Sequence, residues 1–260
     1  MLLFSTGRRS RIMKRTHILF TAIILFAGLT FSINAQDKIT AAVAANFTIP
    51  FGKIATAFEE KTDIKVEATY TSTGKLYAQI TQGAPFNVFL AADEKRPALL
   101  FKDGIAEEPF VYAKGRIVVW SQDKTICAAG DWKKAVTLPN INKIAIANTE
   151  AAPYGTVSMI ALKKAGLWDV LKEKYVFPQT IAQSFQYAST ASVDIGFCAL
   201  SSAMTEQGGK GCYLSVEEAP DVVQAACILK RDHGHDQAGK FAEFLLSKQA
   251  SDIKSRYGYR

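Results

Sequence analysis

The sequence has few of the residues that form metal and redox sites. Its 260 residues include 3 His and 4 Cys. The cysteines show neither a Cys-x-x-Cys pair nor the spacing of a zinc site. His233 and His235 could in principle bind a metal, but two histidines in a turn rich in Gly and Asp are more typical of a solvated loop. The sequence therefore contains no recognisable zinc or dithiol motif.

The sequence also lacks the patterns of common hydrolases. It has no Gly-x-Ser-x-Gly motif, and no set of Ser, His and Asp can be placed near one cleft. Three pairs of adjacent glutamates, at 59–60, 107–108 and 217–218, fall on segments that we expect to face solvent. We therefore predict that the protein is not an enzyme and that it needs no cofactor.

A basic surface for nucleic acids is missing as well. The formal net charge is +7, but residues 1–35 contain five basic residues and no acidic one. Without them, 26 basic residues stand against 24 acidic ones, a net charge of +2, and both signs are mixed along the chain. Because there is no basic stripe and no Arg-rich segment, nucleic-acid binding is not supported.

Residues 1–35 have the pattern of a signal peptide. Basic residues at 8–15 precede an apolar run over 18–31, and the small residue Ala35 follows. The apolar run is short for a membrane span, so cleavage near Ala35 is favoured over an uncleaved anchor. Met13 is an alternative start to Met1. The pattern predicts an exported, periplasmic protein.

Export makes the four cysteines candidates for disulfide bonds, because their even number permits pairing. Cys198 and Cys227 lie in apolar runs, where a free cysteine behaves as a small buried hydrophobe. One bridge among Cys127, Cys198, Cys212 and Cys227 is favoured over none. The sequence does not give the pairing.

Strand and helix patterns alternate after residue 36, which indicates parallel sheets with helical crossovers. A strand of small and β-branched residues over 38–44 leads into a helix, and a second strand over 64–70 leads into the next helix. A long extended run over 110–120 then interrupts the alternation, which restarts afterwards. An apolar segment over 222–230 has the pattern of a returning strand.

Two crossings of this kind predict an α/β protein of two lobes with a cleft between them. We assign residues 36–116 and 229–260 to the first lobe and residues 117–228 to the second. The amphipathic helix predicted over 237–247 is expected to pack on the first lobe.

Polar residues follow the predicted strands at the points where helices begin. Thr71, Ser72 and Thr73 precede a helix with one apolar face, and Asn46 follows the first strand, where we expect it to cap the next helix. Donors at a helix N-terminus attract anions, although an isolated Thr-Gly pair is usually an ordinary cap. The carboxyl ends of neighbouring parallel strands meet at the edge where open α/β sheets bind ligands.

Four segments resemble, in the same order, the periplasmic molybdate-binding proteins of ABC transporters. They are Ala-Ala-Asn46-Phe47-Thr; Thr71-Ser-Thr73-Gly-Lys-Leu-Tyr-Ala-Gln-Ile with the later Gly83-Ala-Pro and Ala-Ala-Asp93-Glu; Pro153-Tyr154-Gly155-Thr156; and Ile181-Ala-Gln-Ser-Phe-Gln with Gly196-Phe-Cys-Ala-Leu200. Each segment alone is weakly diagnostic. The ordered set, which extends over residues 37–260, is specific.

The resemblance implies the type II periplasmic binding protein fold, in which each lobe is a mostly parallel sheet flanked by helices and two hinge strands join the lobes. It implies a monomer that captures molybdate, and usually tungstate, and delivers it to a membrane permease. Molybdenum would be held as the oxyanion, without protein atoms bonded directly to the metal.

The resemblance also implies four ligand-binding residues, Asn46, Thr73, Tyr154 and Ile181. Thr73 would offer its hydroxyl and its backbone N–H, whereas Tyr154 and Ile181 would offer backbone N–H groups. Asn46 matches the polar residue that ends the first strand. One departure concerns Ala199, because some relatives supply a tyrosine hydroxyl from this strand.

Neutral donors at helix N-termini can hold a dianion without a paired cation, since N–H groups and aligned dipoles supply positive potential. Lys75 is the alternative, but a lysine one turn into a helix more often points to solvent. Sulfate, phosphate and organic acids are alternative ligands, and an exported hydrolase is the alternative class. A protonated phosphate needs an acceptor; none of the four residues is acidic, although Glu150 is near Tyr154 in the sequence.

Overall fold

The computed structural model describes residues 37–231 and 233–260. The predicted signal peptide and its cleavage site lie outside the described residues. No described helix is long and apolar enough to span a membrane.

The described residues form two five-stranded sheets with helices packed around them. The strands are β1 (Lys38–Ala44), β2 (Lys65–Thr71), β3 (Val88–Leu90), β4 (Phe110–Gly115), β5 (Ile117–Ser121), β6 (Ile144–Ala145), β7 (Tyr175–Val176), β8 (Ile195–Ala199), β9 (Cys212–Ser215) and β10 (Val222–Ile228). The α-helices are α1 (Thr48–Thr62), α2 (Thr73–Thr81), α3 (Lys95–Lys102), α4 (Trp132–Val136), α5 (Pro153–Lys164), α6 (Ile181–Ser189), α7 (Leu200–Ala203), α8 (His235–Leu246) and α9 (Lys248–Arg256).

Each sheet belongs to one lobe, and the two sheets have the same kind of pairing. The order is β2-β1-β3-β10-β4 in the first sheet and β7-β6-β8-β5-β9 in the second. In the first sheet β1 is parallel to β2 and β3, while β10 is antiparallel to β3 and β4. In the second, β6 is parallel to β7 and β8, while β5 is antiparallel to β8 and β9. The two-lobed α/β fold is as predicted, but the sheets are mixed.

The chain passes from the first sheet to the second at Arg116, between β4 and β5. It returns before β10, which pairs with β3 and β4 of the first sheet. Residues 222–228 therefore lie in the first sheet, whereas the sequence-based boundary assigned them to the second lobe. Their apolar pattern indicates a buried strand, but it cannot show to which sheet that strand pairs.

The first core forms where α1 and α8 cover one face of the first sheet. Phe51 and Phe58 recur on one side of α1 and are buried, and both contact Phe241 of α8, at 5.7 and 5.2 Å between ring centroids. Pro50 lies in the first turn of α1, where its missing N–H costs no intrahelical bond. The predicted packing of the later helix on the first lobe is confirmed.

Pro97 lies inside a helix without interrupting it. Residues Lys95–Lys102 form α3, with Pro97 as the third residue. At that position no intrahelical donor is required, so the proline is compatible with a regular first turn.

One disulfide bond lies in the second lobe, between Cys127 and Cys212, with 6.2 Å between the Cα atoms. It joins the 3₁₀ turn Ile126–Ala129 to β9 across 85 residues of sequence. Cys198 and Cys227 are free and buried, and burial raises the pKa of the Cys227 thiol to about 12. The prediction of one bridge, with these two cysteines in the cores, is confirmed.

Candidate anion site

The four residues that the sequence points to line one small cavity between the lobes. Asn46 and Thr73 come from the first lobe, and Tyr154 and Ile181 from the second. The cavity volume is about 10 Å³, about the space that one water molecule needs and far below the roughly 300–1,000 Å³ of pockets for drug-sized ligands. Its lining residues are Ala44, Ala45, Asn46, Ser72, Thr73, Ala92, Ala152, Pro153, Tyr154, Thr180 and Ile181. A larger groove shares Asn46 with this cavity but contains none of the other three.

The starts of three α-helices meet at this cavity. Thr73 is the first residue of α2, Tyr154 is the second residue of α5 after Pro153, and Ile181 is the first residue of α6. The first N–H groups of an α-helix have no intrahelical acceptor. The 3₁₀ turn Ala45–Phe47 before α1 also contributes to the lining. Backbone donors and the positive ends of helix dipoles therefore converge on one point.

The buried Ser72 hydroxyl faces this cavity lining without a hydrogen-bond partner in the described part of the chain. Ser72 is 3% exposed, and its Oγ is the one buried side-chain oxygen or nitrogen among the described residues without a hydrogen-bond partner. An unpaired buried hydroxyl costs free energy. Because Ser72 lines the cavity, a hydrogen-bonding ligand there would provide it with a partner.

The Thr73 hydroxyl is oriented by the backbone just after β3. Its Oγ1 accepts a hydrogen bond from the Ala92 N–H at 3.1 Å. A hydroxyl can accept one bond and still donate its own hydrogen. Thr73 therefore presents a donor whose position is fixed before any ligand arrives.

The cavity is electrostatically unusual because none of the described residues that line it is charged. Lys75 is exposed and lies outside the lining. Glu150 is also exposed and outside it, and the Glu150 carbonyl accepts a hydrogen bond from Arg96 at 2.8 Å. The cavity thus offers neutral donors, without a lysine to pair with an anion and without a carboxylate to accept a proton.

Comparison with known proteins identifies the family of this chain. A family model described as "Bacterial extracellular solute-binding protein" matches residues 39–260. The molybdate-binding protein ModA of Rhodobacter capsulatus is 36% identical over 241 residues, which cover 92% of this chain and 94% of the relative. This chain belongs to the family of bacterial extracellular solute-binding proteins.

Further relatives agree in sequence and in structure. The ModA protein of Azotobacter vinelandii is 36% identical over 243 residues, covering 91% of this chain and 95% of the relative. The solved structure of a periplasmic molybdate-binding protein of Azotobacter vinelandii matches with a TM-score of 0.80 at 29% identity, covering 85% of this chain and 98% of that one. These matches confirm the predicted periplasmic binding protein fold.

The Asn46 side chain of this solute-binding protein does not cap a helix, contrary to the sequence-based expectation. α1 begins after Phe47, and neither α1 nor the preceding 3₁₀ turn has a side-chain cap. The Asn46 amide instead donates to Gln224 Oε1 at 2.8 Å and to the Tyr259 hydroxyl at 3.0 Å. Both amide hydrogens are used by protein acceptors, so the group that Asn46 can offer to a ligand is its backbone N–H.

The Tyr154 phenol is likewise engaged away from the cavity lining. It accepts a hydrogen bond from Gln224 Nε2 at 3.2 Å. Burial, together with the neighbouring Tyr259, raises the pKa of Tyr154 well above its usual range, so the phenol is neutral. Because its phenol is engaged, the group that Tyr154 of this solute-binding protein can offer to a ligand is its backbone N–H, close to the start of α5.

The sequence did not distinguish Ser72 as a site residue. The sequence shows that Thr71, Ser72 and Thr73 offer hydroxyls before a helix, but only the fold shows which of them enter the cavity. Ser72 is the N-cap residue of α2, with extended backbone angles, and its hydroxyl makes no capping bond. An N-cap serine usually bonds to the first turn of its own helix, so only the structure, in whose described part this hydroxyl has no partner, distinguishes it.

Proposed function

We propose that this solute-binding protein captures molybdate in the interlobe cavity and delivers it to the permease of an ABC transporter. Asn46, Thr73, Tyr154 and Ile181 are the proposed ligand residues, and Ser72 is a fifth. The single observation that supports this most strongly is the buried Ser72 hydroxyl, unpartnered among the described residues in an uncharged cavity where helix N-termini meet.

The neutral lining favours a fully ionised oxyanion. A protonated oxyanion such as hydrogen phosphate carries an O–H that needs an acceptor, which in proteins is commonly a carboxylate. The described lining contains no acidic side chain. Molybdate and tungstate are tetrahedral dianions of nearly the same size, so the same donors would hold both. Sulfate has the same charge and is smaller, so only its size distinguishes it from molybdate and it is the competing anion that is hardest to exclude.

The proposed donors are sufficient for tight binding. Hydrogen bonds to a charged group contribute roughly 1.5–3 kcal/mol each. Two side-chain hydroxyls and the backbone N–H groups of the surrounding helix starts would give about five or six such bonds. After the entropic cost of association, this is compatible with a dissociation constant below about 1 μM.

The relatives support the wider role that we propose. Two relatives named above are molybdate-binding proteins, and the one of solved structure is described as periplasmic. We propose that this chain is exported with removal of residues through about Ala35, binds its anion as a monomer and catalyses no reaction. An exported hydrolase is the competing class, and turnover of a substrate panel by purified protein would support it.

A thermal-shift titration of the purified protein tests the proposal. Molybdate and tungstate should raise the melting temperature with concentration, because a ligand that binds only the folded state stabilises by mass action. Sulfate and phosphate at the same concentrations are the controls, and calorimetry gives the dissociation constants. Equal or larger shifts with sulfate or phosphate would refute the molybdate assignment.

A further inference from the structure

A buried hydrogen-bond network lies behind the cavity and holds Asn46 through both its side-chain amide and its backbone carbonyl. The Asn46 amide donates to Gln224 and Tyr259, as described above. Its backbone carbonyl accepts from Ser201 Oγ at 2.9 Å and from the Tyr259 hydroxyl at 2.9 Å. Neither Gln224 nor Tyr259 lines the cavity. They can therefore influence a ligand only through the residues that line the cavity.

Gln224 connects the two lobes within this network. Its Oε1 accepts from Asn46 and from the Tyr112 hydroxyl, the latter at 3.1 Å, and its Nε2 donates to Tyr154 in the second lobe. Gln224 is fully buried. One side chain on β10 thus bridges a cavity residue of the first lobe and a cavity residue of the second.

The backbone around Gln224 is adapted to this contact. The pairing of β10 with β4 shifts register between Gln224 and Ala225, and such an irregularity redirects a side chain. On β4, a Cβ at Gly115 would lie 2.0 Å from the Tyr154 hydroxyl and 2.8 Å from Gln224 Nε2. Only glycine at 115 leaves room for the Gln224–Tyr154 hydrogen bond.

Tyr259 is held in place by the backbone of the residue that follows it. The N–H of Arg260 donates to the Lys114 carbonyl at 3.1 Å, and the N–H of Lys114 donates to the Arg260 carbonyl at 2.7 Å. The Tyr259 ring packs edge-on against Phe47 with 5.2 Å between centroids. Backbone pairing with β4 and ring packing therefore direct the Tyr259 hydroxyl toward Asn46.

We propose that Gln224 and Tyr259 are positioning residues of the anion site, which hold the 3₁₀ turn Ala45–Phe47 and Tyr154 so that their backbone N–H groups point into the cavity. This inference rests on the proposed function. A displaced turn would misalign donors that come from both lobes, so the two residues should determine affinity without touching the anion.

Two variants test the proposal by calorimetric titration with sodium molybdate. Tyr259→Phe removes only a hydroxyl. We expect the dissociation constant for molybdate to rise about tenfold, which corresponds to the free energy of about one hydrogen bond. Gln224→Glu keeps the shape and an acceptor for Asn46, but an ionised carboxylate cannot donate to Tyr154. A buried Glu can have a pKa as high as about 8–9, so binding by this variant should weaken at least about tenfold between about pH 6 and pH 9.

The pH profile distinguishes positioning from a general loss of structure. Protonation of the carboxylate introduced by Gln224→Glu restores a donor, so affinity should recover at the lower pH while a structural defect would persist. The groups that face Gln224 are Asn46 and the phenols of Tyr112, Tyr154 and Tyr259, and burial raises the pKa of each phenol. Asp93, whose charge also raises the pKa of Tyr112, is ion-paired with Arg96.

Wild type and Gln79→Glu, which adds one charge at an exposed position of α2, are the controls and should show no such change. If Tyr259→Phe binds molybdate like wild type, or if Gln224→Glu binds equally at both pH values, the positioning role is refuted. If Gln224→Glu does not fold, the affinity of Tyr259→Phe for molybdate alone tests the positioning role. Absence of molybdate binding by wild type would instead refute the proposed function itself.

Discussion

The backbone N–H of Gly74 donates a 2.8 Å hydrogen bond to the carbonyl oxygen of Ala151. Gly74 is the second residue of α2 in the first lobe, and Ala151 precedes α5 in the second. Beside this bond, the Arg96 guanidinium is paired with Asp93 and donates to the Glu150 carbonyl at 2.8 Å. These two hydrogen bonds join the lobes next to the candidate anion cavity, in addition to the interlobe bonds of Gln224 and Ser201 described above.

The first prediction concerns the close approach at Gly74. A Cβ there would lie 3.0 Å from both the Cα and the carbonyl oxygen of Ala151. Gly74→Ala should therefore keep the lobes slightly apart and weaken molybdate binding roughly tenfold, about the loss of one hydrogen bond to the anion. Calorimetry gives the affinity, and small-angle scattering with and without molybdate gives the closure.

Gly52→Ala is the matched control. Gly52 is an exposed residue of α1, and a Cβ there would have no atom within 4 Å. It should leave affinity unchanged and increase stability slightly, since alanine is the better helix former. Wild-type affinity in Gly74→Ala would show that this interlobe contact does not limit binding.

The second prediction concerns the Arg96 bond across the cleft. If this bond holds the closed lobes together, Arg96→Gln should increase the dissociation rate of molybdate several-fold. If Arg96 acts instead by attracting the anion, the association rate should fall and the effect should vanish at high salt. Stopped-flow measurements at two salt concentrations separate the two cases. An unchanged dissociation rate would contradict the proposed role.

The third prediction concerns the unpartnered Ser72 hydroxyl. Ser72→Ala should weaken molybdate binding by about tenfold or more, because one hydrogen bond to a charged ligand is lost. The same change should leave the melting temperature of the ligand-free protein unchanged or raise it, because a buried group without a partner is removed. Calorimetry and thermal unfolding measure the two effects.

A variant at Lys75 distinguishes this site from the alternative in which a lysine binds the anion. Lys75→Gln should bind molybdate like wild type, since Lys75 is exposed and outside the cavity lining. Strong loss of binding in Lys75→Gln, combined with wild-type binding by Ser72→Ala, would refute the arrangement of donors described here.

The fold could be predicted to a large extent from local sequence patterns. The cavity lining could be predicted from these patterns together with the family resemblance. The strand that ends at Ala44, the hydroxyls before α2 and the Pro-Tyr-Gly segment at 153–155 are each read from neighbouring residues. These segments then meet because parallel strands end at one edge of each sheet. Local patterns pointed to Asn46 and Thr73, the family resemblance implied these two together with Tyr154 and Ile181, and all four line one cavity.

The remaining features depend on residues far apart in the sequence. The partner of the Asn46 amide is Gln224, 178 residues away, and a local pattern at 46 can only suggest a helix cap. The bridge Cys127–Cys212 spans 85 residues, so its pairing is set by the second sheet. Membership of β10 in the first sheet is likewise decided by long-range pairing. Local patterns show burial, but they do not show the partner.

The fourth prediction concerns Lys254, a buried lysine whose described hydrogen-bond acceptors are both backbone carbonyls. It is 7% exposed, and its Nζ donates to the carbonyls of Tyr112 at 2.7 Å and Leu245 at 3.0 Å. Desolvation by burial lowers the pKa of Lys254 to about 8 from its usual 10.5. The folded protein therefore releases this proton at a lower pH than the unfolded chain does.

The sign of the resulting pH dependence follows from proton binding. Between about pH 8 and pH 10.5 the unfolded state binds more protons at Lys254, so the free energy of unfolding rises with pH, by up to about 3 kcal/mol. Below about pH 8 both states are protonated, so stability no longer changes with pH and the destabilisation by the buried charge stays at its full value. Lys254→Met keeps an unbranched side chain and removes the titration. The difference in stability between wild type and this variant should therefore shift in favour of wild type as the pH rises through this window.

Chemical denaturation at several pH values between about 7 and 10.5 measures this difference, and the comparison cancels other groups that titrate in the same range. Lys248→Met is the control, because the Lys248 side chain is 87% exposed and forms its described ion pair with Asp252. Its stability difference from wild type should change little with pH, since an exposed ion pair contributes little. A constant difference for Lys254→Met over the whole range would mean that Lys254 titrates near its ordinary pKa, and that its two carbonyl acceptors offset the desolvation of its charge.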